Sequence, residues 1–222
     1  MTVTVASLET RARRRADMIN RNFVTSAEWL QYLNDGYKEL YDILVARFED
    51  WYTESLEFSV ASGVESYDLP ANFYKLRGLD RSAGAGEYIT LRPFNFNDRN
   101  VKGGLIRRTR LSDVEYRIMR DTLIFEPRDR ALGDYRMWYV PRANDLTVSS
   151  DTVDGVNGWE EYIVLVAAIK ALQKEESDVS VLLAEKGSLY QRIELMSANR
   201  DGGMTERVTD VSMESHAYSR GF

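Results

Sequence analysis

The spacing of hydrophobic residues changes twice along this chain, and the two changes bound what it can fold into. Leu30, Leu33, Tyr37, Leu40, Leu44 and Phe48 recur at three- and four-residue steps, the repeat of one helix face. Trp29, Tyr32 and Ile43 widen that arc, so this helix is expected to pack on two sides. From Leu56 the step falls to two: Leu56, Phe58 and Val60 alternate with Ser55, Glu57 and Ser59, the mark of a half-buried strand. After Asn157 the helical density returns, and from Ile163 to Leu172 the chain is apolar almost all round. A helix without a polar face belongs at the centre of a fold.

Local signals set the boundaries of the helices. The first is predicted over about residues 8–20, with Leu8, Ala12, Arg15 or Ala16, and Ile19 on one stripe. The second starts at Thr25 or Ser26, where Thr25 with Glu28 three residues on is a capping box, and runs to about residue 50. Gly36 in its middle costs about 1 kcal/mol against Ala, which a close helix crossing would explain. The third helix follows Asn157 as its predicted cap, with Glu160 and Glu161 at the positive end of the dipole. A break at Ser177-Asp178 opens the last helix, with Leu182, Leu189, Ile193 and Met196 on one stripe, ending near residues 199–203.

The middle of the chain reads as strands. Ser62-Gly63 is expected to turn the first strand back onto Tyr67 and Leu69 as a hairpin, which Pro70 then ends because it lacks an N–H for the ladder. Phe73, Tyr74, Leu76 and Leu79 form the next extended piece, and Tyr88, Ile89 and Leu91 another, closed by Pro93. A Gly-rich loop at residues 83–86 joins these two pieces, and residues 94–100 are read as a short helix or irregular loop. Residues 116–125, YRIMRDTLIF, are the clearest hairpin, and Tyr135, Met137 and Tyr139 add a strand stopped by Pro141. The expected fold class is therefore α+β: a helical bundle formed by N- and C-terminal helices (1–51 and 156–200), a β-rich inserted region (52–155), and an extended C-terminal arm (201–222). The arm lacks a sustained period and cannot bury enough by itself to fold.

Composition removes several kinds of chemistry. The 222 residues contain no Cys, which excludes disulfides, thiolate metal sites and a cysteine nucleophile. The single His, His216, lies in the arm, so no multi-histidine metal site can be assembled within the chain and a Ser-His-Asp triad would have to be built on that arm. The chain has no P-loop or dinucleotide fingerprint, and no apolar run nears the roughly 18 residues of a membrane span. The basic cluster follows the weakly apolar start MTVTVASLE, the wrong order for a signal peptide. No cofactor, metal or catalytic residue is therefore expected. Among 35 acidic residues, Asp35, Asp42, Glu49, Asp113, Glu115 and Glu126 are conceivable as a hydrolase pair, and nothing in the sequence distinguishes them.

A formal net charge of −6 argues against a dedicated nucleic-acid binder. Two basic clusters stand out locally, Arg11, Arg13, Arg14, Arg15 and Lys102, Arg107, Arg108, Arg110, each readable as a solvated face or a contact. Trp51-Tyr52, Trp138-Tyr139 and Trp159 sit near element ends, where they cap a core, serve an interface, or offer stacking platforms to single-stranded nucleic acid.

In order, the chain presents VTSAEWLQYLNDGYKELYDIL, a hairpin closing on YDLPANFYKLRGL, then YRIMRDTLIFEP, YRMWYVP and GWEEYIVLVAAIKAL. This series, over about residues 8–199, resembles the head-to-tail adaptors (connector or head-completion proteins) of tailed bacteriophages, including the tail tubular adaptors of short-tailed phages. The resemblance implies a non-enzymatic virion protein, made in the host cytoplasm. It implies a homo-oligomer ring, typically of twelve copies, beneath the portal, continuing the DNA channel toward the tail or nozzle and any tail fibres. Helices would build the ring wall, the β-rich part would face the tail, and the arm would reach the portal. Met204, Val208, Val211, Met213, His216, Tyr218 and Phe222 are then the expected portal contacts. Arg11, Arg13, Arg14, Arg15, Arg107, Arg108 and Arg110 become candidates for DNA-channel or subunit contacts. Another neck or tail-fibre attachment protein is the alternative, and a carboxylate-based hydrolase a more distant one.

Overall fold

The helix that is apolar on every side, Glu161–Lys174, ends where such a helix must, among the other helices, with Tyr162 to Ile169 and Ala171 all buried. The computed structural model describes residues 2–61, 64, 66–98, 114–154 and 156–197. In chain order the elements are β1 (Thr2–Thr4), α1 (Val5–Arg15), α2 (Ser26–Arg47), β2 (Glu54–Val60), β3 (Ser66–Asp68), β4 (Phe73–Gly84) and β5 (Glu87–Thr90). They continue with β6 (Arg92–Pro93), β7 (Glu115–Met119), β8 (Thr122–Glu126), β9 (Gly133–Pro141), β10 (Thr152–Asp154), α3 (Glu161–Lys174) and α4 (Ser180–Ser197). The class is mixed α+β, with four α-helices among the described residues.

Helices α1, α2 and α4 each pack on α3. Gly36 marks a close approach of α2 to α3. A Cβ placed there would stand 3.1 Å from Ile163 Cα and from Ile163 O, and 3.1 Å from Val166 Cβ. The glycine in α2 is therefore the helix crossing that its cost in propensity called for. The capping box also forms: Thr25 Oγ1 accepts from Glu28 N, and the Glu28 carboxylate accepts from Thr25 N.

Glu28 carries a second load. Lys174 in the last turn of α3 donates to it at 2.6 Å, ahead of the Thr25 backbone N–H and hydroxyl, and these bonds hold its carboxyl down at about 2. A depressed folded-state pKa adds stability above the ordinary value of 4.5, and that stability is lost as pH falls toward 2. Glu28→Gln should therefore melt below the parent protein at neutral pH, with the gap closing as the solution approaches about pH 2. Thermal melts across that range measure it, and a pH-independent gap would refute the assignment.

Two helix boundaries differ from expectation. The first helix occupies Val5–Arg15 rather than residues 8–20. Asp17 adopts a left-handed φ of 55° and Met18 N–H closes back on Arg13 O at 2.8 Å, so the chain turns out of the helix. Ile19, expected on the buried stripe, is consequently 58% exposed. Asn157 does not cap α3. It sits in a turn at φ 52°, and Glu160 is the N-cap without a side-chain hydrogen bond.

The strands form two four-stranded sheets, ordered β2-β9-β4-β5 and β3-β8-β7-β6, and a small β1-β10 pair. Among the described residues β2 and β3 do not pair as the expected hairpin. Instead β2 aligns all seven residues with β9, from Glu54↔Tyr139 to Val60↔Gly133, whereas β3 pairs three residues with β8 in the other sheet. The longer ladder wins over the nearer partner. Tyr67 still reaches β2, its hydroxyl donating to Ser59 O. Pro70 is thus the corner where the chain leaves one sheet for the other: β3 ends at Asp68, Phe73 N donates to Pro70 O at 2.8 Å, and β4 begins at Phe73. The β7–β8 hairpin forms as predicted, turning at Arg120-Asp121.

The sheets share one core. Val60, Leu79, Tyr135, Met137 and Tyr139 of the first sheet meet Tyr116, Leu123 and Phe125 of the second. Tyr135 is central to it. Its ring stacks on Phe58 at 5.5 Å and packs on Phe125 at 4.8 Å, and its buried hydroxyl donates to Ala131 O at 2.7 Å.

A third, small cluster joins the helical and β-rich parts: Tyr41 and Val45 of α2 against Val140, with Tyr52 and Ala143 beside them. Tyr41 Oη donates to Pro141 O at 2.5 Å. Two turns earlier on α2, the Asn34 amide takes up both backbone groups of Leu146, donating to its O at 2.8 Å and accepting from its N at 2.7 Å.

Candidate interaction surfaces

Two of the α1 arginines, Arg11 and Arg15, face the N-terminal turn of α3. The C-terminal turn of α1 carries Arg13, Arg14 and Arg15, and the N-terminal turn of α3 offers Glu160 and Glu161, so each dipole end meets its favoured charge. Arg11 donates to Glu160 at 3.2 Å and to Glu161 at 2.6 Å, while Arg15 bridges Glu161 and Glu185, both at 3.2 Å. Burial acts to lower the Arg11 pKa, but these hydrogen bonds outweigh it and the net shift is upward. Arg13 pairs with Glu9 at 2.7 Å, its guanidinium 5.2 Å from the Trp29 ring centroid. The Arg14 side chain is exposed and makes no hydrogen bond or ion pair among the described residues. Three of the four arginines are thus engaged within the chain.

Apolar side chains reach solvent in two places on the helical part. The α1–α2 connection projects Ile19 and Phe23, the latter under Lys174 Nζ at 4.8 Å from its ring. Helix α4 projects more. Leu182 and Leu189 pack on the helical core with Ile193, as their spacing predicts, but Met196 does not continue the stripe and is 51% exposed while Ser197 is buried. On the far side, Val181 is 69% and Leu195 71% exposed. Between α4 and α1 an open groove of about 510 Å³ runs over Leu165 and Leu189, walled by Val181, Ala184 and Ser188, with Arg15 and Glu185 at its rim. The sequence held the signal for this second face, since Val181 and Leu195 lie off the core-facing stripe.

The junction between the two parts is lined by tyrosines. Lys38, Tyr41, Asp42, Tyr74 and Arg142 border a cleft of about 220 Å³, where Tyr74 Oη donates to Asp42 at 2.9 Å. Burial pushes the Tyr41 phenol far up, so it stays neutral and serves as a donor. Trp51 is exposed beside this junction, whereas Trp159 and Tyr139 are core residues. On the outer face of the first sheet Arg136 lies 4.1 Å from the Tyr88 ring centroid and pairs with Glu57 at 2.7 Å. Beside it, Trp138 Nε1 donates to Asp80 at 2.7 Å.

Of the candidate carboxylates, Asp35, Asp42 and Glu49 each meet separate partners. Asp35 pairs with Lys170 at 2.5 Å, Asp42 accepts from Tyr74, and Glu49 holds Lys75 and Arg77. Glu115 and Glu126 face each other across the β7–β8 ladder, and Asp113 lies outside the described residues. The described residues contain no cluster of three or more His, Cys, Asp or Glu able to hold a metal, and no helix among them is long and apolar enough to cross a membrane. Lys102, Arg107, Arg108, Arg110, Met204, Val208, Val211, Met213, His216, Tyr218 and Phe222 also lie outside the described residues.

The model of the SU10 adaptor protein family matches residues 3–209 of the chain. No curated protein matches the chain.

Proposed function

The chain belongs to the SU10 adaptor protein family, a family of bacteriophage head–tail adaptors, and on that premise we propose that it forms a ring joining portal to tail and continuing the DNA channel. The observation that carries this reading is the extent of the family match. Residues 3–209 of 222 take in the helices, both β-sheets and the start of the arm. Membership supports a structural role in the virion.

The surfaces support the finer reading. A ring closed by head-to-tail contacts needs two unlike faces on each copy. The Ile19–Phe23 projection and the outer face of α4 are two exposed apolar features on different elements. In a ring of twelve, the helices, packed as a bundle, form the wall and the β-rich part is directed toward the tail or nozzle. Residues 1–51 with 156–200, residues 52–155 and residues 201–222 then divide the work as wall, tail-facing part and portal-reaching arm. The arm's Met204, Val208, Val211, Met213, His216, Tyr218 and Phe222 contact the portal. Of the basic residues, Arg14 and the Arg107, Arg108 and Arg110 set between β6 and β7 are the best suited to subunit or channel contacts. The ion pairs of Arg11, Arg13 and Arg15 already hold α1 in place.

Mixing the purified protein with portal rings tests the reading. Sedimentation and imaging should show the protein collected onto the ring as a closed annulus. A chain that stays monomeric with portal present, and binds no capsid or tail component, overturns it. A chain ending at Gly203 should keep its fold and lose most of its portal affinity, whereas undiminished affinity removes the arm from the interface.

A further inference from the structure

Both outer strands of the first sheet, β2 and β5, present backbone groups that no described residue takes up. In an antiparallel ladder, successive residues point these groups alternately toward the partner strand and away from it. On β2, Ser59 O accepts from the Tyr67 hydroxyl, whose oxygen accepts from Ala61 N at 3.3 Å, so the odd-numbered residues face away from β9. Tyr67 closes that end of the edge. Ser55 and Glu57 remain open, each with an N–H and a C=O directed outward. On β5, Leu91 N donates to Leu79 O at 2.8 Å, so the odd-numbered residues face β4, while Tyr88 and Thr90 face outward. Each edge thus offers two open residues, two positions apart, and an open edge is a template for another strand.

We propose that β5 of one copy pairs with β2 of the next, so that the sheet continues from subunit to subunit. The inference rests on the ring reading and names the strands that make its contact. Strand polarity suits it. The strands β2, β9, β4 and β5 alternate in direction, so β5 runs opposite to the β2 of a neighbour set beside it in the same orientation. The open groups fix the register: Tyr88 pairs with Glu57 and Thr90 with Ser55, each pair exchanging both hydrogen bonds, and Ile89 falls opposite Leu56. The faces agree in that register. Phe58, Tyr135, Arg81 and Ile89 form one row across the sheet, so Ile89 lies on the core side, as Leu56 does, two residues from Phe58. Leu56 is 38% exposed on that side, and the neighbour's Ile89 covers it. The row continues into the neighbour at Leu56 rather than Phe58, a stagger of the kind that tilts the strands of a closed barrel. Pairing β2 with β2 would instead be isologous and would close after two copies.

The chain has no cysteine, so introduced thiols report the contact directly. Within one chain β9 and β4 separate β2 from β5, so a disulfide between these strands joins two copies. In the full chain assembled on portal rings, Leu56→Cys with Ile89→Cys sets two thiols on a non-hydrogen-bonded pair. Its Cα atoms stand about 4.5 Å apart, within the range of about 4.4–6.8 Å that a disulfide needs. Mild oxidation should give a ladder of linked chains about tenfold faster or more than Leu56→Cys with Thr90→Cys, whose thiols lie on opposite faces. Ser55→Cys with Thr90→Cys, on the exposed face, should give the same ladder without disturbing the core. Equal rates in the paired and opposite-face variants overturn the proposal. Leu56→Cys alone should remain unlinked, and dimers formed by it overturn the proposal in favour of β2–β2 pairing. A closed annulus on the portal with no ladder from either pair overturns the strand pairing and leaves the ring reading standing, whereas no annulus overturns both.

Discussion

A Gly36→Val chain is expected to unfold with about 3 kcal/mol less free energy than the parent, the upper part of the range for overpacking a closed interior. The first added carbon would already meet Ile163 Cα, Ile163 O and Val166 Cβ at 3.1 Å; two of these three atoms are backbone and the third is bonded directly to it. Helix α3 cannot retreat, because α1 and α4 hold its other sides. Gly36→Ala should be milder, since the same collision is partly offset by about 1 kcal/mol of helix propensity. Urea unfolding, read as a shift in midpoint at constant slope, measures both. A Val variant with an unchanged midpoint would mean that the α2–α3 crossing is looser than described.

The second large effect is expected in the β-rich part. Tyr135→Ala should cost about 3–5 kcal/mol, the usual range for removing a buried aromatic ring. Both sheets lose a shared contact, because the ring touches Phe58 on one and Phe125 on the other. Tyr135→Phe isolates the hydroxyl: Ala131 O loses its buried donor, at about 1–3 kcal/mol. Burial pushes the Tyr135 phenol up to about 12, with Arg81 opposing. A raised folded-state pKa gives stability that is complete below the ordinary value of 10 and lost as pH climbs through about 12. The gap between the parent and Tyr135→Phe should therefore narrow in strong alkali. Because Tyr41, Val45 and Val140 tie the two parts together, both substitutions are expected to move one unfolding transition rather than split it. Separate transitions for the two variants would show that this junction couples the parts weakly.

Periodicity revealed the helices and the strands but not the partners of the strands. The capping box at Thr25, the buried helix at α3 and the Tyr116–Phe125 hairpin depend on near neighbours, and near neighbours are what spacing reports. The β2–β9 ladder joins residues some eighty positions apart, and nothing around Ser62-Gly63 announces that a longer partner exists elsewhere. Strand β1 was missed for the same reason: three residues, Thr2–Thr4, carry too little pattern without Thr152–Asp154 beside them. The arginine cluster was visible as a cluster, yet its acidic partners on α3 lie about 150 residues away. The outer face of α4 was legible in principle. A search for one buried stripe passes over a helix that has two.

The pairing of Asn34 with Leu146 has a mechanical side. One amide meets both backbone groups of a distant residue, as a neighbouring strand would, and two turns on Tyr41 holds Pro141 through a single donor. The end of β9 and the connection that follows it are therefore pinned to α2 at two points, several residues apart along the same helix. A single pin is a pivot. Two pins on one shaft resist rotation, so a load that swings the β-rich part is passed into α2 as bending, and from α2 at Gly36 directly into the most buried helix of the chain.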